Sequence, residues 1–194
     1  MPLCKQVAVK LWQSVFVKPD VIYFADLAHL TTPKCHLIDS YQVVERGSTN
    51  PITSQEIDDL AGYIEPNMLR HQIEQRFALN AEVWLLKKEN TCLGMVWTLA
   101  GKTVEPFYYL VGSQDVHFFN NEIFESYRGR GFNPPLIEYV LFQMKVRGLV
   151  RAYIETNQRN IAEQRSLSKT SFCQVGKAIK LNVGKKNITL WHNP

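Results

Sequence analysis

The decapeptide SYRGRGFNPP combines residue types that suit the binding of an anion. Arg128 and Arg130 carry planar guanidinium groups that can donate two hydrogen bonds to one phosphate. Gly129 and Gly131 let the backbone approach a ligand without an intervening Cβ. No helix interior would tolerate the double proline that follows, so the loop lies directly before a predicted helix. The N-terminus of a helix offers unpaired N–H groups and the positive end of the helix dipole. The stretch therefore predicts a site for a diphosphate-bearing ligand, and a solvated basic turn is the alternative.

Other phosphate-binding and nucleic-acid motifs do not match this stretch. The pair of glycines lacks the third glycine of a dinucleotide-binding turn, and no GxxxxGK followed by Ser or Thr is present. A single RGRG copy between apolar runs also differs from the repetitive RGG segments that bind RNA.

The elements that would position this loop follow from hydrophobic periodicity. Thr53 or Ser54 can cap the first predicted helix, and Pro66 suits the start of the second. The order is that of a mixed α/β domain with one crossover near its centre. Helices are predicted in the segments 53–65, 66–80, 135–147 and 158–172. Strands or extended segments are predicted at 21–27, 36–47, 81–87, 91–101, 105–112, 115–124, 151–156, 173–183 and 187–191.

Composition fits one domain, 21–194, behind a short N-terminal extension, 1–20. The chain has 194 residues, of which 45% are hydrophobic and 21% charged, as in ordinary globular proteins. No signal peptide and no apolar run of roughly 20 residues is visible. The four cysteines form no CxxC pair, which predicts no metal site and a reducing, cytoplasmic location. The net charge of +4 gives only mild attraction for anions.

The segment FNNEIFESYRGRGF, followed by an amphipathic helix and a strand, resembles the GNAT superfamily of N-acetyltransferases. The family pattern is Arg or Gln, two residues, Gly, one residue, then Gly or Ala. Arg128 and Gly131 match this pattern, whereas Asn133 stands at its last position. The resemblance covers roughly residues 21–192.

A second part of the resemblance lies about 30 residues further along, in NIAEQRSLSKTSF. There the family often has an asparagine, a small residue and a closing Lys-x-Gly-Phe. The corresponding residues are Asn160, Ala162 and Lys169-Thr170-Ser171-Phe172, with Ser171 in place of glycine.

The resemblance implies a GNAT-like fold: a mixed, mostly antiparallel twisted sheet flanked by helices, with a central strand–loop–helix–strand unit. It implies acetyl-CoA or CoA as co-substrate, without a metal. The loop amides would hold the diphosphate and the preceding strand the pantetheine arm. The binding residues so implied are Ile123, Phe124, Arg128, Gly129, Arg130, Gly131, Phe132, Asn133 and Asn160.

Direct attack by an amine requires a base, because an alkyl amine with a pKa near 10 is mostly protonated at neutral pH. Glu122, just before the loop, is the candidate catalytic base. Glu125, Glu155 and His117 are alternatives, and an ion-pairing role for Glu122 stays open.

The general acid of the family is a tyrosine seven residues after the asparagine, where this chain has Leu167. Ser166 and Ser168 flank that position, and Ser168 is the candidate catalytic donor to the leaving sulfur. A thiol with a pKa around 8.5 can leave without a strong acid, so activity does not require the tyrosine.

The sequence thus predicts an acyltransferase that acetylates a primary amine of a small-molecule or sugar acceptor. A catalytically degenerate module that binds CoA or a partner protein is the alternative. A nucleic-acid-binding module is disfavoured by the modest charge, and its basic residues would be Arg128, Arg130, Lys145, Arg147 and Arg151. No nucleic-acid or membrane partner is expected, and a homodimer stays open.

Overall fold

The computed structural model describes residues 19–34, 40–62, 65–104, 108, 110–183 and 186–192. No helix within this part has the length and apolar composition needed to cross a bilayer. The strands and helices are, in chain order, β1 (Asp20–Asp26), β2 (Tyr41–Arg46), α1 (Ser54–Ala61), α2 (Pro66–Ala78), β3 (Glu82–Lys88), β4 (Thr91–Ala100), β5 (Asp115–Ile123), a 3-10 turn (Glu125–Tyr127), α3 (Asn133–Val146), β6 (Arg151–Asn157), α4 (Ile161–Leu167), β7 (Cys173–Val183) and β8 (Lys186–His192).

The strands of the described part form one sheet in the order β2-β3-β4-β5-β6-β1-β7-β8. All neighbours in this sheet are antiparallel except β5 and β6, which are joined through α3 as a parallel pair needs a crossover. The predicted mostly antiparallel sheet, with helices flanking it and a central strand–loop–helix–strand unit, is confirmed.

Helices cover both faces of the sheet. On one face α3 buries Leu136, Ile137 and Leu141 against residues of β1, β5 and β6, such as Phe118. On the other face α1 and α2 pack on β3 and β4, around the fully buried Trp97. The side chains of β5 therefore alternate between two separate cores.

The start of α1 is fixed by a buried ion cluster. Thr53 is the N-cap and forms a capping box with Glu56, whose side chain is fully buried. Arg46 donates two hydrogen bonds to Glu56, and Lys87 donates a third at 2.9 Å. Burial by itself would raise the pKa of Glu56, but these donors outweigh it and lower the pKa to about 2.

Several predicted boundaries differ from the structure. The helix predicted at 158–172 is only the seven-residue α4, because Asn160 caps its start and the chain turns away at Ser168 and Lys169. The second predicted strand begins only at Tyr41, and residues 35–39 lie outside the described part. So do 105–107 and 109 of the predicted extended segment, whose other residues form no strand. Residues 1–18 of the expected N-terminal extension also lie outside it.

Candidate active site

A cleft opens where β5 and β6 diverge. The two strands pair only from Asp115 to Phe118, opposite Arg151 to Ile154, although β5 continues to Ile123. On its other side β5 has a bulge against β4, with Asn120 at a φ of 45°. A bulge bends its strand and increases the local twist, so the end of β5 moves away from β6.

The opposite side of the β5 end is closed by β4. A Cβ on Gly94 would lie 2.6 Å from the Glu122 carbonyl oxygen and 2.6 Å from the Ile123 side chain, so only glycine allows this close approach. The Phe124 N–H donates to the Leu93 carbonyl at 2.9 Å, and the Phe124 side chain is fully buried. Phe124 therefore contacts β4 and the core, and it does not line the cleft.

The arginine–glycine loop forms the mouth of the cleft. Gly129 and Gly131 have φ values of 76° and 78°, a left-handed conformation that other residues adopt at a cost. Open space surrounds both glycines where a Cβ would be. The loop then enters α3, which begins at Asn133, two residues before the predicted start at Pro135, so that both prolines lie in its first turn.

Consecutive backbone N–H groups of this loop have no acceptor within the described part of the chain. They belong to residues 129–133, between the 3-10 turn and the first turn of α3. The next N–H group to be bonded is that of Leu136, which donates to the Phe132 carbonyl. Unpaired N–H groups at the N-terminus of a fourteen-residue helix suit an anion.

The cleft has a volume of about 630 Å³ and runs from the end of β5, past the loop, to α4. Its lining includes the cations Arg128, Arg165 and Lys169 and the carboxylates Glu122 and Glu163. The remaining lining residues are Asn120, Asn121, Ile123, Tyr127, Gly129, Gly131, Phe132, Asn133, Pro134, Asn160, Ala162 and Ser166.

Two amide oxygens in this lining are buried without a hydrogen-bond donor among the described residues. They are the Oδ1 atoms of Asn121 and Asn133. The amide nitrogens of both residues are used, because Asn121 donates to Glu163 at 3.3 Å and Asn133 donates to Ser166 at 2.9 Å. A buried acceptor without a donor is costly, so the cleft suits a ligand that carries N–H groups.

Asn160 and Glu163 form the α4 wall of the cleft. Asn160 caps α4 by accepting from the Glu163 N–H at 3.2 Å, and its own amide donates to the Glu163 carboxylate at 2.9 Å. Burial raises the pKa of Glu163, while hydrogen bonds from Thr156 and Asn121 oppose this rise. Sequence reasoning missed Asn121 and Glu163, although the Asn-x-x-Glu spacing of 160 and 163 is that of a helix cap.

Glu122, the candidate base, lines the cleft but forms an ion pair. Its Oε1 accepts from Nη2 of Arg128 at 2.9 Å. The Nε of the same guanidinium donates to the Ile123 carbonyl, also at 2.9 Å. Arg128 thus binds the end of β5 through Glu122, the predicted base, and through Ile123, which was predicted to bind the pantetheine arm.

The second loop arginine lies apart from the cleft lining. Arg130 donates to the Ser126 carbonyl at 3.1 Å, and its guanidinium lies 5.7 Å from the ring centre of Tyr127. The backbone of Arg130 belongs to the run of unpaired N–H groups, so its contribution to a cradle is through the main chain.

Ser168 and Leu167, at the end of α4, are not part of the cleft lining. Ser168 is exposed and donates to the Arg165 carbonyl at 3.0 Å. Leu167 is fully buried in the core beneath α3. Ser166 is the hydroxyl of this helix that reaches the cleft, where it accepts from Asn133.

The rings of His117, Phe119 and Trp97 form a row on the face of the sheet opposite α3. His117 and Glu155 form an ion pair of 2.8 Å between β5 and β6, beside the last paired residues of the two strands. The His117 ring stacks on Phe119 at 5.6 Å, and Phe119 stacks on Trp97 at 6.2 Å. The guanidinium of Arg76, from α2, lies 4.7 Å from the Trp97 centre and 5.4 Å from that of Phe119. Burial lowers the pKa of Arg76.

Within the described residues no group of three or more His, Cys, Asp or Glu side chains could hold a metal ion.

The fold is similar to those of several solved structures. A conserved protein of unknown function from Staphylococcus epidermidis superposes with a TM-score of 0.58 at 12% identity, covering 88% of this chain and 64% of that one. A putative acetyltransferase from the GNAT family of Novosphingobium aromaticivorans superposes with a TM-score of 0.52 at 18% identity, covering 81% of this chain and 60% of that one. A GNAT-family acetyltransferase from Colwellia psychrerythraea superposes with a TM-score of 0.57 at 11% identity, covering 91% of this chain and 56% of that one. No protein-family model and no curated protein matches the chain.

The chain therefore has the GNAT fold, and the resemblance seen in its sequence is confirmed at that level. It spans less than two thirds of the length of each of these three structures.

Proposed function

We propose that this protein is a CoA-dependent N-acyltransferase that acetylates a primary amine of a small molecule. The observation that carries this proposal is the run of unpaired N–H groups at residues 129–133, placed at the mouth of a cleft between two diverging strands. Such a run suits a diphosphate, and the cleft behind it suits an extended chain.

The residues of the cleft fit acetyl-CoA. The N–H groups of the loop and the cations Arg128, Arg165 and Lys169 would hold its phosphates. The acceptor oxygens of Asn121 and Asn133 would receive the N–H groups of its pantetheine arm. When bound, acetyl-CoA supplies a thioester whose carbonyl carbon can accept an amine.

In the reaction a C–N bond forms as the C–S bond breaks, and the ammonium proton must leave the attacking amine. Glu122 would accept this proton at the end of β5, once the ligand phosphates compete for Arg128. The pair of His117 and Glu155 is the second candidate acceptor, because it bridges the two strands where they part. The thiolate product would take its proton from solvent and would accept a hydrogen bond from the Ser166 hydroxyl, since a thiol leaves without a strong acid.

A second candidate function is a non-catalytic CoA-binding or protein-interaction module. Two observations favour it: a buried leucine stands at the position of the general acid, and Glu122 is held in an ion pair. Binding of CoA is common to the proposed enzyme and to a CoA-binding module, so only turnover separates these two.

The experiment is a thermal-shift titration with acetyl-CoA, free CoA and ATP, followed by release of thiol from acetyl-CoA with a panel of primary amines. Stabilisation by the CoA compounds well above that by ATP, together with amine-dependent thiol release, is expected. Stabilisation without thiol release would favour the non-catalytic module. No stabilisation at millimolar CoA would exclude the loop as a diphosphate cradle.

A further inference from the structure

Beside the row of rings lies a cation, Arg76, for which the described part of the chain supplies no anion. Arg76 is half-buried, and no carboxylate of the described residues forms an ion pair or hydrogen bond with it. Among the described residues its charge contacts the ring faces of Trp97 and Phe119, which attract a cation but accept none of the hydrogen bonds that its N–H groups can donate. A half-buried guanidinium whose donors are unused is costly unless a further group binds it.

The ring under Arg76 carries a second unused donor. Trp97 is 1% exposed, and its Nε1 has no acceptor within the described part of the chain. A buried indole N–H usually finds a partner. Two neighbouring donors that both lack an acceptor indicate that an acceptor, and specifically an anion, belongs at this place.

The other end of the row carries an acidic group, the carboxylate of Glu155. Phe119 separates Arg76 from His117, whose Nε2 lies 2.8 Å from the Glu155 carboxylate. This pair can receive a hydrogen bond or a proton from an ammonium group through the carboxylate of Glu155, whose side chain is 25% exposed. A cationic group and an acidic group thus lie one aromatic ring apart on the same face of the sheet.

We propose that the acceptor is an amine that also carries a carboxylate, such as an α-amino acid, with its carboxylate bound by Arg76 and its amine beside His117 and Glu155. This inference rests on the proposed function, because it names the substrate of that same reaction. The row lies on the face of the sheet opposite α3, and His117 is one of the last residues of β5 that pair with β6 before the two strands part. An amine held there would approach a thioester in the cleft from the other side of the sheet.

The test compares three forms of each acceptor in a panel of α-amino acids: the free acid, its carboxamide and its decarboxylated amine. Thiol release from acetyl-CoA gives kcat/KM for each form. The wild type is expected to prefer the acid by about tenfold or more, the value of a charge-assisted hydrogen bond in a half-buried site. Arg76→Gln should lower kcat/KM for the acid by about the same factor and leave that for the decarboxylated amine within about twofold.

Arg70→Gln is the matched control, because Arg70 is an exposed arginine of the same helix. It should change none of the three values. Arg76→Lys keeps the charge and should retain part of the preference for the acid, even if packing over the rings is weakened.

Equal use of the acid and its carboxamide by the wild type would overturn the inference, and so would an equal loss on all three forms with Arg76→Gln in a protein that melts normally. In both cases acetyl-CoA would still stabilise the protein and the proposed function would stand. Failure of acetyl-CoA to bind would instead contradict the proposed function itself.

Discussion

Arg128 and Glu122 form an ion pair of 2.9 Å across the mouth of the cleft, and the same guanidinium also donates to the Ile123 carbonyl. The two side chains are 57% and 40% exposed, so solvent screens the pair and its net strength is modest. A ligand phosphate can therefore displace Glu122 from Arg128. Binding of the phosphate to Arg128 would thus release the Glu122 carboxylate from its ion pair.

Glu122→Gln should tighten CoA binding and slow turnover. Removing the carboxylate frees Arg128 for the phosphates, which should lower the Kd for CoA by up to about fivefold, the range of an exposed ion pair. If Glu122 is the base, kcat with an amine acceptor should fall by about 10²–10⁴-fold. Calorimetry and thiol release measure the two quantities.

Glu125→Gln is the control for net charge. Glu125, an alternative base in the sequence analysis, is an exposed carboxylate of the adjacent 3-10 turn and does not line the cleft. The substitution should change neither Kd nor kcat substantially. An unchanged Kd in Glu122→Gln would show that the carboxylate does not compete with the ligand.

Gly131→Ala should weaken CoA binding and also destabilise the fold. The φ of 78° is unfavourable for alanine by about 1 kcal/mol, although the Cβ would meet no other atom within 4 Å. Gly148→Ala, at a φ of 83° and equally open, should lower the free energy of unfolding by a similar amount. Since Gly148 lies after the far end of α3, only Gly131→Ala should raise the Kd for CoA. Equal CoA affinities of the two variants would argue against a main-chain cradle at residues 129–133.

Acid should destabilise the protein partly through Glu56. Its pKa in the folded chain is about 2, below its ordinary value of 4.5. The stabilisation is therefore complete above the unfolded pKa and is lost as pH falls from 4.5 toward 2, which amounts to about 3 kcal/mol for a fully buried carboxylate. Urea unfolding across this pH range should show the loss in the wild type. In Glu56→Gln this part of the pH dependence should be absent, and a variant with the wild-type slope would contradict the assignment.

Leu167→Tyr should not create a general acid. Leu167 is fully buried in the core beneath α3, so a larger side chain should cost about 1–3 kcal/mol in overpacking. The phenol hydroxyl would also need a partner in that core. Melting temperature and thiol release together test this expectation, and higher turnover without destabilisation would mean that position 167 can reach the leaving sulfur.

The sheet and the arginine–glycine loop could be predicted because their signals are local. Short apolar runs on either side of a polar turn predicted β3 and β4, and the double proline between the loop and the next apolar run predicted the start of α3 to within two residues. Local patterns also limited these predictions. The polar run after Gln158 has helical composition, yet only Ile161–Leu167 is helical, because capping by Asn160 and the turns after Leu167 decide its length.

The chemistry of the site depends on contacts that no local pattern reveals. Asn133 departs from the family motif, yet its amide donates to Ser166 and so joins the start of α3 to α4. In the sequence Arg76 is one of several charged residues of a polar helix. Only the folded structure places its guanidinium over the rings of Trp97 and Phe119. In both cases the partners come from separate elements, and their contact is set by tertiary packing.

The short parallel pairing of β5 and β6 has a mechanical consequence. It divides the sheet into two four-stranded halves, β2-β3-β4-β5 and β6-β1-β7-β8, which the sheet joins through four residue pairs. The ion pair of His117 and Glu155 spans that same joint. A ligand that fills the cleft contacts one half through the end of β5 and the other through α4, which follows β6. Because such a ligand would contact both halves, its size and shape would set the angle between them. That angle would in turn set the distance between the ligand and a second substrate bound beside His117 and Glu155.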